Sequence, residues 1–115
     1  MSIRTEKVAS LVREEIGLIL ARKYNDGSYG FLTVTDVKMT ADLKIARIYV
    51  SILGDPEVRA RTLKLFKHHN SEIRQELGSR LRLKFTPEAQ FYLDETMDRV
   101  ERINNLIKEI HKDNH

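Results

Sequence analysis

Along the start of the chain, Val8, Leu11, Val12, Ile16, Ile19 and Leu20 recur at the three- and four-residue spacing of one helix face, with Lys7, Arg13, Glu14, Arg22 and Lys23 mostly elsewhere. The spacing predicts an amphipathic helix over 5–24. It stops at Asn25-Asp26-Gly27, where Asn and Gly tolerate the left-handed conformation that ends helices. The period then drops to two. Over 31–39, Leu32 and Val34 fall on one face and Phe31, Thr33, Thr35, Val37 and Met39 on the other. Over 44–53, Ala46, Ile48, Val50 and Ile52 share a face, so two antiparallel strands with a short connection are expected.

Gly54-Asp55-Pro56-Glu57 sets a candidate capping carboxylate before a proline, whose missing N–H costs least at the first helical position. The helix that begins there has Val58, Thr62, Leu65, Phe66 and His69 on its apolar face, and Ile73, Leu77 and Leu81 continue the spacing. The polar run Asn70-Ser71-Glu72 predicts a bend between the two halves. Thr86-Pro87 forces extended backbone, 89–93 alternates as a third short strand, and Met97, Val100, Ile103, Ile107 and Ile110 mark a C-terminal helix over about 97–112. The expected fold class is α+β: helices cover a small sheet in the order α-β-β-α-kink-α-β plus the C-terminal helix.

A chain of 115 residues with 41% apolar content can build one modest core, and two domains would each be too small. There is no Cys, which excludes disulfides, thiolate zinc sites, iron–sulfur clusters and thiol nucleophiles, and suits the cytoplasm. The longest strongly apolar run, 18–21, falls far short of the roughly 20 residues of a membrane span, so neither a membrane nor an export segment is expected.

The net charge of +3 hides an asymmetry. Residues 56–85 hold eight basic residues, Arg59, Arg61, Lys64, Lys67, Arg74, Arg80, Arg82 and Lys84, against Glu57, Glu72 and Glu76. On the first half of this helix pair Arg59, Lys64 and Lys67 lie opposite the Val58, Leu65, Phe66 stripe, which makes a basic outer ridge. Such a ridge neutralises phosphates without reading bases, or is an ordinary solvated face. Arg80-Leu81-Arg82-Leu83-Lys84 alternates cation and apolar residue, and presents three cations together if extended. Its other reading is an edge whose charges discourage strand pairing.

Other chemistry is thinly supported. His68 and His69 point about 100 degrees apart on a helix and cannot chelate one ion, and no metal or other cofactor is expected. Gly27-Ser28-Tyr29-Gly30 matches a phosphate-cradling G-x-x-G but precedes a strand, where a helix-ending turn explains both glycines. Asp36, Asp42, Asp55, Glu88 and Asp94 are scattered, and no phosphate loop or nucleophile elbow occurs, so an enzyme is not expected.

Two stretches, VTDVKMTADLKIARIYVSILGD at 34–55 and IRQELGSRLRLKFTPEAQFYLDE at 73–95, resemble ribosome-binding factor A. The hairpin motif is met by Asp42, Leu43, Ala46, Tyr49, Val50 and Ser51, and the second signature by Arg74, Leu77, Gly78, the run Arg80 to Lys84, Pro87, Glu88, Phe91 and Asp94. The resemblance implies a single type II K-homology-like domain, a monomer without catalysis of its own. It further implies binding to the free small (30S) ribosomal subunit, help in late maturation and 5′-end processing of 16S rRNA, growth in the cold, and a functional link to an assembly GTPase. The family's Ala-x-Gly helix kink aligns with Asn70, Ser71 and Glu72. Here the chain departs from it: Asn70 and Ser71 are capping types that keep a break, whereas Glu72 adds an anion. The RNA-contacting residues expected are Arg59, Lys64, Lys67, Arg74, Arg80, Arg82 and Lys84. The alternative is a protein-interaction adaptor whose RNA binding is incidental.

Overall fold

The computed structural model describes residues 2–24, 27–96 and 106–107. Helix α1 (Ile3–Lys23) starts at Ser2, whose hydroxyl oxygen accepts from the Thr5 N–H at 3.2 Å. A 3-10 turn (Gly27–Tyr29) leads into strand β1 (Phe31–Met39), which pairs antiparallel with β2 (Ile45–Leu53). Helices α2 (Pro56–His68) and α3 (Asn70–Arg80) carry the chain back to β3 (Glu88–Leu93), which pairs parallel with β2. The sheet order is β1-β2-β3. The antiparallel pair needs only a tight turn, but the parallel one needs a crossover, which α2 and α3 supply.

One apolar cluster joins the layers: Val8, Val12, Ile16, Ile19 and Leu20 of α1, Phe66 of α2, and Ile73 and Leu77 of α3 meet Val37, Ala46, Ile48, Val50, Ile52, Ala89 and Phe91 of the sheet. The even positions of β2 supply its whole inward face, as the alternation predicts. Phe66 is fully buried and its ring meets Tyr24 and Phe91 at centroid distances of 5.0 and 5.3 Å. Gly30, at φ 75°, sits where a Cβ would lie 2.6 Å from the Leu53 carbonyl oxygen, so only glycine permits this entry to β1.

Three expectations change. Leu11 is 48% exposed, because α1 packs mainly over β1, an edge strand, which covers only a narrow stripe of the helix. In β1 the register slips between Val34 and Asp36, so Thr35 is an extra residue and the inward parity reverses. Val37 and Met39 therefore join Leu32 and Val34 against the core instead of opposing them. The helix break falls at His69 (φ −93°, ψ 16°), one residue before the polar run. Asn70 does not cap α3 there; its side-chain amide donates to the Ala89 carbonyl of β3. Glu72 lies in the first turn of α3, where the helix dipole favours an anion. Of the C-terminal helix expected over 97–112, Leu106 and Ile107 are helical and exposed, and its other positions lie outside the described residues, as do Asn25 and Asp26.

Candidate nucleic-acid interface

Helix α2 divides its cations between structure and solvent. The Arg61 guanidinium donates to the Ser28 carbonyl at 2.6 Å, and the buried Thr62 hydroxyl donates to the Tyr29 carbonyl at 3.1 Å. The helix thereby clamps the 3-10 turn; α1 has already ended at Tyr24, Gly27 is not left-handed, and of the two glycines of the G-x-x-G only Gly30 is required, by the entry to β1 and not by the helix end. Arg59 is half-buried, whereas Lys64 and Lys67, three residues apart, are exposed. At the break the Tyr24 hydroxyl lies 3.4 Å from His69 Nδ1 and the Glu72 carboxylate 3.8 Å from it. Among the described residues no three His, Asp or Glu side chains converge on a metal-sized site.

On α3 the cations part company. Arg80 lies 3.3 Å from the Glu15 carboxylate of α1 and 3.6 Å from that of Glu76 one turn back. Glu76 also meets Arg22 at 2.6 Å and Lys23 at 2.9 Å. The hydrogen bond from Lys23, followed by the charges of Lys23, Arg22 and Arg80, holds the Glu76 carboxyl below its ordinary range. Arg80 is thus a strut between α1 and α3. Arg74, exposed on the same helix, donates to the Thr86 carbonyl at 3.0 Å and so lies against the linker that follows.

That linker, 81–87, begins in extended backbone at Leu81 (φ −100°, ψ 137°). Leu81 and Leu83 pack on the core while Arg82 and Lys84 point to solvent, the two-residue alternation of the sequence made physical. Bends at 84 and 85 interrupt it. Phe85, which continued alternation would turn inward, is 74% exposed, with the Lys84 ammonium 5.7 Å from its ring centroid. Pro87 is buried, and the Glu88 N–H donates to the Lys44 carbonyl at 2.8 Å, which brings the linker to the β1–β2 turn. Between them lies a groove of about 840 Å³, where Arg4, Lys44, Arg74 and Lys84 surround Leu43, Ile45, Leu83 and Phe85. Asp42 and Glu88 also line it. The Asp42 carboxylate accepts from the Thr40 hydroxyl and the Lys44 N–H, which hold its pKa down.

The seven expected contact residues therefore do not form one patch. Arg74 and Lys84 share the groove, Arg82 is exposed beside it in sequence, Lys64 and Lys67 are exposed on α2, Arg59 is half-buried on the same helix, and Arg80 is engaged by carboxylates. Arg4, Lys44 and Phe85 belong to the groove without having been singled out, since each comes from a different element and nothing in local spacing joins them. The carboxylates have structural duties: Asp36 and Asp94 line one cavity of about 390 Å³, but Asp36 accepts from the Val37 N–H, and Asp94 from the Thr35 hydroxyl and the Thr96 N–H.

Comparison with known proteins follows the same lines. The family model for Ribosome-binding factor A matches residues 4–107. A crystal structure of ribosome-binding factor A from Thermus thermophilus superposes with a TM-score of 0.66 at 17% identity, over 77% of this chain and 94% of that one. A solution structure of a Thermotoga maritima candidate ribosome-binding factor A gives 0.64 at 28% identity, over 80% and 88%. Coordinates of the Thermus thermophilus factor fitted into a cryo-EM map of its complex with the 30S subunit give 0.61 at 19% identity, over 83% and 96%. The shared architecture is the K-homology-like α+β fold.

Proposed function

The chain belongs to the ribosome-binding factor A family, and from that premise we propose that it binds the free 30S subunit by holding 16S rRNA phosphates and acts in late maturation and 5′-end processing of that RNA. The observation that carries this reading is the grouping of Arg4, Lys44, Arg74 and Lys84 around one groove, with Arg82 exposed in the linker beside it. Cations so grouped release condensed counterions when they meet phosphates, which gives affinity without base reading. Lys64 and Lys67 extend the contact along α2. Support also comes from the 30S complex into which the Thermus relative was fitted.

Such a protein works without a chemical step. Tighter binding to one immature rRNA arrangement than to the mature one shifts the population, because only differential affinity moves an equilibrium. The rigid sheet and α1 supply the platform, release follows maturation, and an assembly GTPase on the same subunit is the partner for release. The protein acts as a monomer, and the need for it is greatest in the cold, where misfolded rRNA escapes slowly.

The test is sedimentation with salt-washed 30S, 50S and 70S particles across a salt series. Co-migration with free 30S alone, falling steeply and log-linearly with salt, is the expected result. Absence from every particle overturns the reading, and salt-insensitive binding points to a protein-interaction adaptor.

A further inference from the structure

Phe85 is the most exposed large apolar side chain described, at 74%, although it stands between the half-buried Leu83 and the buried Pro87. On the sheet's outer face Tyr92 stacks on Tyr49 at 5.5 Å and donates to Gln90, and Lys38 lies over Tyr49; Phe31, 72% exposed at the start of β1, does not line the groove. Among the described residues the Phe85 ring meets no other ring, and its neighbour is a cation.

We propose that the groove between the linker and the β1–β2 turn takes one unpaired RNA nucleotide, its base stacked on Phe85 and its flanking phosphates among Arg4, Lys44, Arg74 and Lys84. The inference deepens the rRNA-binding reading and rests on it. Chemistry selects the ligand. An exposed ring among cations is how sequence-tolerant sites hold single strands, since every base has a face to stack and every linkage a phosphate. A duplex keeps its bases stacked inside and offers no free face, so the target is a loop, bulge or end. The volume of about 840 Å³ lies within the span of about 300–1,000 Å³ usual for small-molecule sites.

The groove is also prepared. Arg74 is fixed by its bond to the Thr86 carbonyl, which leaves most of its donors for a phosphate. Asp42 is spent on Thr40 and Lys44, so its charge is turned into the β1–β2 turn. Leu43, at φ 60°, helps shape that turn, and with Leu83 it packs on the core, giving an apolar floor.

The experiment uses the full chain with short oligoribonucleotides carrying 2-aminopurine, whose fluorescence falls when the base stacks on a ring. Wild type is expected to quench the probe as a single strand and not as a duplex. Phe85→Ala and Phe85→Leu lose quenching and about tenfold or more in affinity, whereas Phe85→Tyr keeps both. Circular dichroism of each variant matches wild type, because the side chain is exposed. Equal binding by the Leu and Phe proteins, or quenching that survives in the Ala variant, overturns the proposal. Sedimentation with 30S subunits in parallel separates the two failures. If wild type binds 30S with a steep salt slope but does not quench the probe, the nucleotide site is wrong and the ribosomal reading stands. If it quenches the probe but binds no 30S, the reverse holds.

Discussion

The Thr35 hydroxyl donates to the Asp94 carboxylate at 2.7 Å, a bond that reaches from the extra residue of the β1 bulge past β2 to the end of β3. Bonds from the Thr96 and Thr35 side chains and the Thr96 N–H hold the Asp94 carboxyl at about 2, below its ordinary 3.8. The bulge, which sends Val37 into the core, is thus secured by the strand farthest from it.

Thr35→Val is expected to lower stability by about 1 kcal/mol, the net worth of one hydrogen bond, in urea unfolding at neutral pH. The pH dependence carries a sign. A carboxyl whose folded pKa is depressed contributes stability that is present above 3.8 and lost as pH falls toward about 2. Asp94→Asn removes that component, so the difference between wild type and variant shrinks from pH 5 to pH 2. A difference that stays constant across this window rules out the ionised Asp94 as its source.

Charge reversal separates the cations of the signature run. Arg82→Glu and Lys84→Glu are expected to leave the melting temperature nearly unchanged and to weaken 30S binding, because both side chains are exposed. Arg80→Glu instead places a third carboxylate beside Glu15 and Glu76 and lowers the melting temperature. Arg80→Gln, which only removes the partner, costs about 1 kcal/mol or less.

Gly78 on α3 lies where a Cβ would meet the Thr86 hydroxyl at 2.6 Å. Gly78→Ala alone is expected to push the linker outward, lowering both stability and 30S affinity. In a Thr86→Ala background the same change meets only carbon at ordinary contact distance, and the gain in helix propensity of up to about 1 kcal/mol is released. A double-mutant cycle reads this coupling; strict additivity would place the cause elsewhere.

Neutralising single cations gives the phosphate map. Lys84→Gln, Arg82→Gln and Arg74→Gln should each reduce the slope of log K against log salt by about 1 if each residue holds one phosphate. Arg61→Gln, whose parent side chain holds the Ser28 carbonyl, should leave the slope unchanged.

Periodicity made most of the scaffold legible. The even positions of β2 and the Pro56 start of α2 stand where the sequence places them, whereas the cation run is split: Arg80 ends α3, which stops well before Thr86-Pro87, and only Arg82 and Lys84 turn outward from the linker. What it could not show depends on cross-chain geometry. The bulge at Thr35 is stabilised by Asp94, far along the chain, so strict alternation misassigned Val37 and Met39. Arg80 reads as one of three equal cations until Glu15 of α1 is seen beside it. The groove gathers Arg4, Lys44, Arg74 and Lys84 from four segments, a convergence without local signature.

The parallel pairing of β2 with β3 also sets an order of events. The β1–β2 hairpin closes over a few residues, whereas β3 cannot seat until both intervening helices have brought it round, and contacts distant in sequence form slowly because the closing loop is long. The linker at 81–87 leads directly into β3, and the Glu88 bond to Lys44 is the stitch that draws it to the hairpin. The groove between the linker and the β1–β2 turn is therefore a late product of folding. A chain whose β3 has not seated has no such groove, so on the proposed rRNA-binding reading affinity for RNA would report completion of the fold.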